Sequence, residues 1–330
     1  MVLIPMHSSP PSDTAAVASQ PLLHISNLTV RLRTRHGTIQ PLHNFNLTVR
    51  PGETWGLIGE SGSGKTLAML AVMGLLPHNA QAQGSIRLQG QELLGSSEKD
   101  WCRIRGARIG MVFQEPMTAL NPLQRVGDAI AEPLRLHRRL NAADARQQAI
   151  AWLERVGIAH AAERWRDYPH QFSGGQRQRI MLASAIACKP DLLIADEPTT
   201  ALDSTVQAQI LALLQDLVAQ EGMALILISH DLALVAHHVQ QLAVLRAGQL
   251  LEQGSSQAIF QHAAHPYTSA LLAARPQLGQ KHRQPLPEVP APPMQANDEV
   301  ATHEARARPQ TLPPTARQPA RYGRCAAPHA

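Results

Sequence analysis

Aromatic residues make up only 3% of this 330-residue chain, so any core it builds must be mostly aliphatic. Cysteine is as scarce. Cys102, Cys188 and Cys325 lie far apart, with neither metal-ligand spacing nor the even count of a disulfide framework, which fits a reducing compartment. Nowhere do about eighteen apolar residues run together, the length a bilayer-spanning helix needs, and the apolar run at Met1–Met6 is too short for a signal-peptide core. Any membrane role is therefore peripheral. Charged residues are also few, at 17% against 44% hydrophobic, a balance that excludes a disordered or fibrous chain and suits a globular one with a real core. The net charge of +5 hints at nucleic acid, but Arg306, Arg308, Arg317, Arg321 and Arg324 fall in one stretch without apolar pattern. Interleaved aromatics and recognisable modules are missing, which argues against nucleic-acid binding.

What is present is ordered along the chain. Residues 1–20 are rich in Ser, Ala and Pro and read as a flexible leader. From Leu22, LLHISNLTVRL alternates like a half-buried strand. NFNLTVRPGETWGLIG carries a second alternating run, a turn at Pro51-Gly52 and a buried strand. The runs DLLIAD and ALILIS, separated by the helical stretch STVQAQILALLQDLVAQ, have the texture of a parallel sheet in an α/β fold. Between about 121 and 168 the period turns helical. From 277 onward ten prolines and few clustered aliphatics predict a disordered tail, 277–330.

Three motifs carry chemistry. Gly59-Glu60-Ser61-Gly62-Ser63-Gly64-Lys65-Thr66 matches GxxxxGK[ST], which arises by chance in about one chain of this length in a hundred. It lies between a predicted strand and a predicted helix. Backbone amides of such a loop cradle phosphate, Lys65 reaches the β and γ oxygens of a bound nucleotide, and the Thr66 hydroxyl can ligate Mg²⁺. The loop alone does not separate kinases, GTPases, helicases and transport ATPases. The second motif, Leu192 to Pro198, sets Asp196 and Glu197 at the end of a buried strand. Asp196 would hold Mg²⁺ through water, and Glu197 would orient or polarise the attacking water. Taken alone, this is also what a strand ending in a polar turn looks like; the phosphate loop tips the balance. The third, His230, closes the next strand, where its imidazole can meet a γ-phosphate edge.

Phe172 to Arg179, reading FSGGQRQR, resembles the signature motif of ABC ATPases and precedes the Asp-Glu strand in the order that family shows. A serine and two glycines opening a helix make a second anion site. The resemblance covers about Leu22 to Pro276. It implies a P-loop NTPase fold with a RecA-like parallel-sheet core, an N-terminal antiparallel β-subdomain and an inserted helical subdomain, about 121–168 plus a signature helix from 173, within an ATPase domain at 21–276. It further implies that two subunits pair head to tail, Ser173, Gly174, Gly175 and Gln176 capping the partner's ATP. Gln114, in MVFQEP, looks like the Q-loop glutamine that senses Mg²⁺ and contacts ATP. Asp203 resembles the D-loop acid, and Ile228 to Asp231 the switch-histidine region.

One position departs from the family pattern: Leu32 stands where an aromatic residue stacks on adenine, and His36 can substitute only if its loop bends back. The stretches FQEPMTALNPLQRVGDAIAEPL and HPYTSALLAARP resemble the dipeptide, oligopeptide and nickel importer subfamily. Membership implies ATP and Mg²⁺ as cofactors, a second related ATPase in a heterodimer, two permease subunits, an extracytoplasmic substrate-binding protein and a peripheral place on the cytoplasmic face of the inner membrane. The cargo stays open between peptides, nickel and other small solutes, and an exporter or a soluble ABC ATPase stands as the alternative. Only Cys325 lies in the tail, too few ligands for an iron–sulfur cluster.

Overall fold

The computed structural model describes residues 20–114, 119–200 and 202–273. The leader up to residue 19, the Pro-rich tail and residues 115–118 of the FQEPMTALNPLQRVGDAIAEPL stretch lie outside these residues. The chain opens with β1 (Leu23–Thr34) and β2 (Gly37–Val49), a long antiparallel hairpin. With β4 (Ala80–Leu88) and β5 (Gln91–Glu92) they form a four-stranded sheet in the order β2-β1-β4-β5. Its alternating residues Ile25, Leu28 and Val30 of β1 and Phe45, Leu47 and Val49 of β2 are fully or almost fully buried, as a one-sided sheet requires. The pattern slips where Asn27 and Asn44 take left-handed backbone, a conformation asparagine tolerates better than most residues.

The second sheet has six strands, β10 (Gln249–Ser255), β9 (Gln241–Arg246), β3 (Thr54–Ile58), β8 (Ala224–Ser229), β7 (Leu192–Asp196) and β6 (Ile109–Val112), in that order. All neighbours are parallel except β10, which pairs antiparallel with β9 at one edge. Strands β6, β7 and β8 are buried at every residue, because both faces of this sheet are covered.

Successive residues serve different faces. Leu193, Ala195, Leu225 and Leu227 join one apolar cluster. Leu192, Ile194, Ile226 and Ile228 join the other, which they share with the antiparallel sheet and helix α1 (Lys65–Val72). Between β5 and β6 runs α2 (Glu98–Ile104).

On the first face sit α3 (Val126–Arg138), α4 (Ala142–Arg155), α5 (Ala161–Arg164) and α6 (Gly174–Ile186). Helix α3 lacks a side-chain cap; its first amides, Val126 and Gly127, donate instead to the carbonyls of Asp167 and Trp165 at 2.9 and 2.8 Å. That closes the helical region back on itself. The remaining α-helices among the described residues are α7 (Ser204–Glu221), α8 (Leu232–Ala236), α9 (Ser256–His262) and α10 (Pro266–Ala273). Among the described residues no helix is long and apolar enough to cross a membrane.

Candidate nucleotide site

The phosphate loop runs from the end of β3 into α1. A Cβ at Gly59 would stand 2.2 Å from the Leu245 carbonyl oxygen of β9, so no larger residue fits between the two strands. Gly64 has φ +96°, and a Cβ there would meet the Pro41 carbonyl of β2 at 2.7 Å; both the backbone conformation and the space demand glycine. Helix α1 starts from this residue with no side-chain cap and no acid in its first turn, which leaves its first amides and positive dipole end for an outside anion. Lys65 is only 5% exposed. Its Nζ donates to the Gly59 carbonyl at 2.7 Å, the Glu60 carbonyl at 2.8 Å and Ser63 Oγ at 3.3 Å. Burial pulls its pKa below the usual lysine value, against the opposing charges of Glu197, Asp196 and Glu60.

The carboxylates come from β7, two strands away across β8. Asp196 is 3% exposed and accepts a hydrogen bond from Thr66 Oγ1 at 3.1 Å, so the loop and the acid strand meet there. Desolvation holds the Asp196 carboxyl above the usual carboxylate range, and the Thr66 bond counters it only in part. Glu197 leaves the strand with φ +45°, its amide donating to the Ile228 carbonyl at 3.0 Å. This turn swings its side chain away from Asp196 and toward three neighbours. Gln114 Nε2 donates to Oε2 at 3.1 Å, Thr200 Oγ1 donates to the same oxygen at 2.9 Å, and His230 Nδ1 lies 3.3 Å from Oε1. Gln114, Thr200 and His230 follow β6, β7 and β8 respectively, so three adjacent strand ends converge on one carboxylate. Thr200 was not foreseen from the sequence, although a hydroxyl three residues after an acid at a turn is a recognisable signal.

The remaining predicted residues form a second group. Ser173 caps α6, its Oγ accepting from Gln176 N at 3.4 Å while Gln176 Oε1 accepts from Ser173 N at 3.1 Å. This reciprocal box leaves Ser173 and Gly174 exposed at the helix start. Gly174 and Gly175 face Leu202 and Val206, a Cβ at Gly175 falling 2.9 Å from Val206. Asp203 caps α7, with Oδ1 accepting from Val206 N at 3.0 Å. The structure thus joins the signature residues to Asp203 through the start of α7, and joins the loop, Asp196, Glu197, Gln114 and His230 into a separate centre.

Leu32 sits on β1 opposite Ile39 of β2 and Ala80 of β4. Residues directly opposite share a face, so Leu32 and the 43% exposed Ile39 make an aliphatic shelf. His36 lies out at the exposed hairpin turn. A cavity of about 400 Å³ opens at the other end of the sheet, between Thr54, Leu225, His237 and His238, remote from all of this chemistry.

A phosphate loop beside an Asp-Glu strand end, with a glutamine, a histidine and a serine-glycine helix cap at fixed places around it, defines an ATPase cassette. The family "ABC transporter" matches residues 42–200, and the family "Oligopeptide/dipeptide transporter, C-terminal region" matches residues 251–300. The oligopeptide transport ATP-binding protein OppD of Salmonella typhimurium is 44% identical over 270 residues, 81% of each chain. The dipeptide transport ATP-binding protein DppD of Escherichia coli is 46% identical over 260 residues, 78% of this chain and 80% of that one. Among solved structures, the ATP-binding cassette MJ0796, a dimer in a post-hydrolysis state with ADP and Pi, aligns with TM-score 0.64 at 26% identity, covering 71% of this chain and 98% of its own. CbiO1 of Clostridium perfringens, part of the transporter complex cbiONQ, aligns at 0.63 and 25%, covering 74% and 92%. The chain belongs to the ABC transporter family as an ATP-binding subunit, and it is an ATPase.

Proposed function

We propose that this chain is the ATP-hydrolysing motor of a peptide importer, paired with a second, related ATPase and driving two permease subunits fed by an extracytoplasmic substrate-binding protein. It would work from the cytoplasmic face of the inner membrane. The observation that carries the hydrolytic reading is the convergence of Gln114, Thr200 and His230 on the Glu197 carboxylate. The C-terminal match at residues 251–300 and the names of the relatives support the peptide reading.

ATP would place its phosphates on the amides of Gly62 to Thr66, with Lys65 exchanging its loop carbonyls for β and γ oxygens. Thr66, Asp196 and Gln114 offer a hydroxyl, a carboxylate and an amide oxygen, the hard oxygen donors Mg²⁺ prefers. The buried Asp196, whose ionised form is disfavoured by desolvation, is the kind of group a divalent cation would relieve. When bound, Mg²⁺ would neutralise charge on the β and γ oxygens. Glu197 then accepts a proton from the attacking water or orients it. Gln114 and Thr200 fix the Glu197 side chain from one side, and His230 from the other, with its second ring nitrogen free to face the γ-phosphate. Ser173, Gly174, Gly175 and Gln176 would cap the ATP held by the partner ATPase, and Asp203 would cross the shared interface.

Purified from native membranes, the chain should bring down two permease subunits and a second ATPase, and a peptide-loaded receptor should raise ATP hydrolysis. Stimulation by a nickel-chelate receptor alone would move the cargo away from peptides. At the adenine shelf, Leu32→Tyr should tighten ATP binding about three- to tenfold, because a ring adds stacking that an aliphatic side chain lacks. Equilibrium nucleotide titration reads the change, and an unchanged or weaker affinity would remove Leu32 from the base site.

A further inference from the structure

The His265-Pro266-Tyr267 sequence takes no part in the chemistry above, yet it reaches the phosphate loop. Tyr267 is 2% exposed, and its hydroxyl donates to Glu60 Oε1 at 3.1 Å across 207 positions of sequence. Glu60 is the second residue of the loop, and its own carbonyl accepts from Lys65 Nζ at 2.8 Å and from Ser63 N at 3.2 Å. One residue is thus gripped from inside by Lys65 and from outside by Tyr267 of α10.

The grip has a firm base. Glu252 of β10 accepts from the amides of Ala264 and His265 at 2.8 and 3.2 Å, which seats the start of α10. His265 Nδ1 accepts from Tyr267 N at 3.0 Å. The Arg246 guanidinium lies over the Tyr267 ring, 4.4 Å from its centre, and two residues later Gly248 N donates to the Ser63 carbonyl at 3.1 Å. At the other end of α10, Leu271 and Leu272 pack on the apolar cluster that contains Leu232 and Val235 of α8, the helix just after His230. Burial, and then the Glu60 carboxylate, push the Tyr267 hydroxyl up to about 12, so it stays a neutral donor at physiological pH.

We propose that Tyr267 is a positioning residue for the phosphate loop, holding Glu60 so that the loop stays in its nucleotide-accepting shape. The inference rests on the nucleotide site proposed above. If the bond to Glu60 is lost, a smaller fraction of molecules carries a competent loop, and apparent affinity falls by that fraction while the chemical step on bound ATP is unchanged.

In the full-length chain, Tyr267→Phe should therefore raise the Kd and KM for MgATP about three- to tenfold with kcat within about twofold. Glu60→Ala should raise the Kd likewise, Glu60→Gln should raise it less because its amide oxygen still accepts, and the double variant Tyr267→Phe/Glu60→Ala should match the singles in Kd rather than multiply them. A merely structural tyrosine would lower the melting temperature and the active fraction but leave Kd where it was. An unchanged Kd in Tyr267→Phe, or multiplying effects in the double variant, overturns the proposal. Should Tyr267→Phe fail to fold, Glu60→Ala, at an exposed position, tests the same bond: a raised Kd supports the proposal and an unchanged one overturns it. Lys65→Ala, run alongside, separates the two readings. Retained MgATP affinity there would sink the nucleotide site and this inference with it, whereas lost affinity with an unaffected Tyr267→Phe would sink this inference alone.

Discussion

Replacing Glu197 with Gln should leave MgATP binding intact while steady-state hydrolysis falls by about two to four orders of magnitude, the usual worth of a positioned general base. The substitution keeps the shape and one acceptor oxygen. Gln114 Nε2 and Thr200 Oγ1 can still donate to an amide oxygen where they now meet Oε2, at 3.1 and 2.9 Å. What disappears is a group able to take a proton. A loss confined to kcat, with Kd unmoved, marks an interaction made only on the way to the transition state. Single-turnover hydrolysis alongside nucleotide titration separates the two quantities. Hydrolysis within about threefold of the parent would transfer the base role elsewhere, His230 being the neighbour at 3.3 Å.

For Lys65→Ala the effect should fall on binding, with MgATP affinity lowered about a hundredfold, the equivalent of losing one strong charge-assisted contact set. The environment sharpens the expectation. This ammonium is buried among three loop oxygens, and desolvation already disfavours its charge, so the loop carries a standing cost that a phosphate relieves. Without the lysine, the Gly59 carbonyl loses this donor, the Glu60 carbonyl keeps only Ser63 N, and Asp196 loses the nearby cation that lowers its pKa. Calorimetric titration with MgATP measures the loss, and an affinity within about threefold of the parent would contradict the role.

The parts of this architecture that could be read from the sequence are those written in consecutive residues. The loop at Gly59–Thr66, the Asp196-Glu197 pair and the Ser173-Gly174-Gly175-Gln176 cap each declare themselves because backbone geometry and side-chain chemistry are specified within a few positions. The all-apolar runs of β7 and β8 declare a two-sided sheet for the same reason. What stayed hidden depends on tertiary meetings. Nothing near Tyr267 in the sequence announces Glu60, and the left-handed turn that sends Glu197 toward Gln114, Thr200 and His230 is set by the strand beside it. Asp203, assigned by resemblance to a dimer contact, also has a local duty as the cap of α7. The aliphatic shelf at Leu32 needed Ile39, whose register across the hairpin is set by a further slip between the Val30–Leu42 and Leu32–Ile39 pairs.

Strand β7 is five residues long and ends at Asp196, with Glu197 in the turn that follows. Leu193 and Ala195 are embedded in the cluster beneath the helical region, Leu192 and Ile194 in the one beneath the antiparallel sheet. A short rod clamped alternately from above and below has little freedom to tilt or slide. A displacement at its tip, beside Asp196 and Glu197, would therefore carry both flanks with it, so that any movement of the acids is shared between the helical region and the antiparallel sheet from the start.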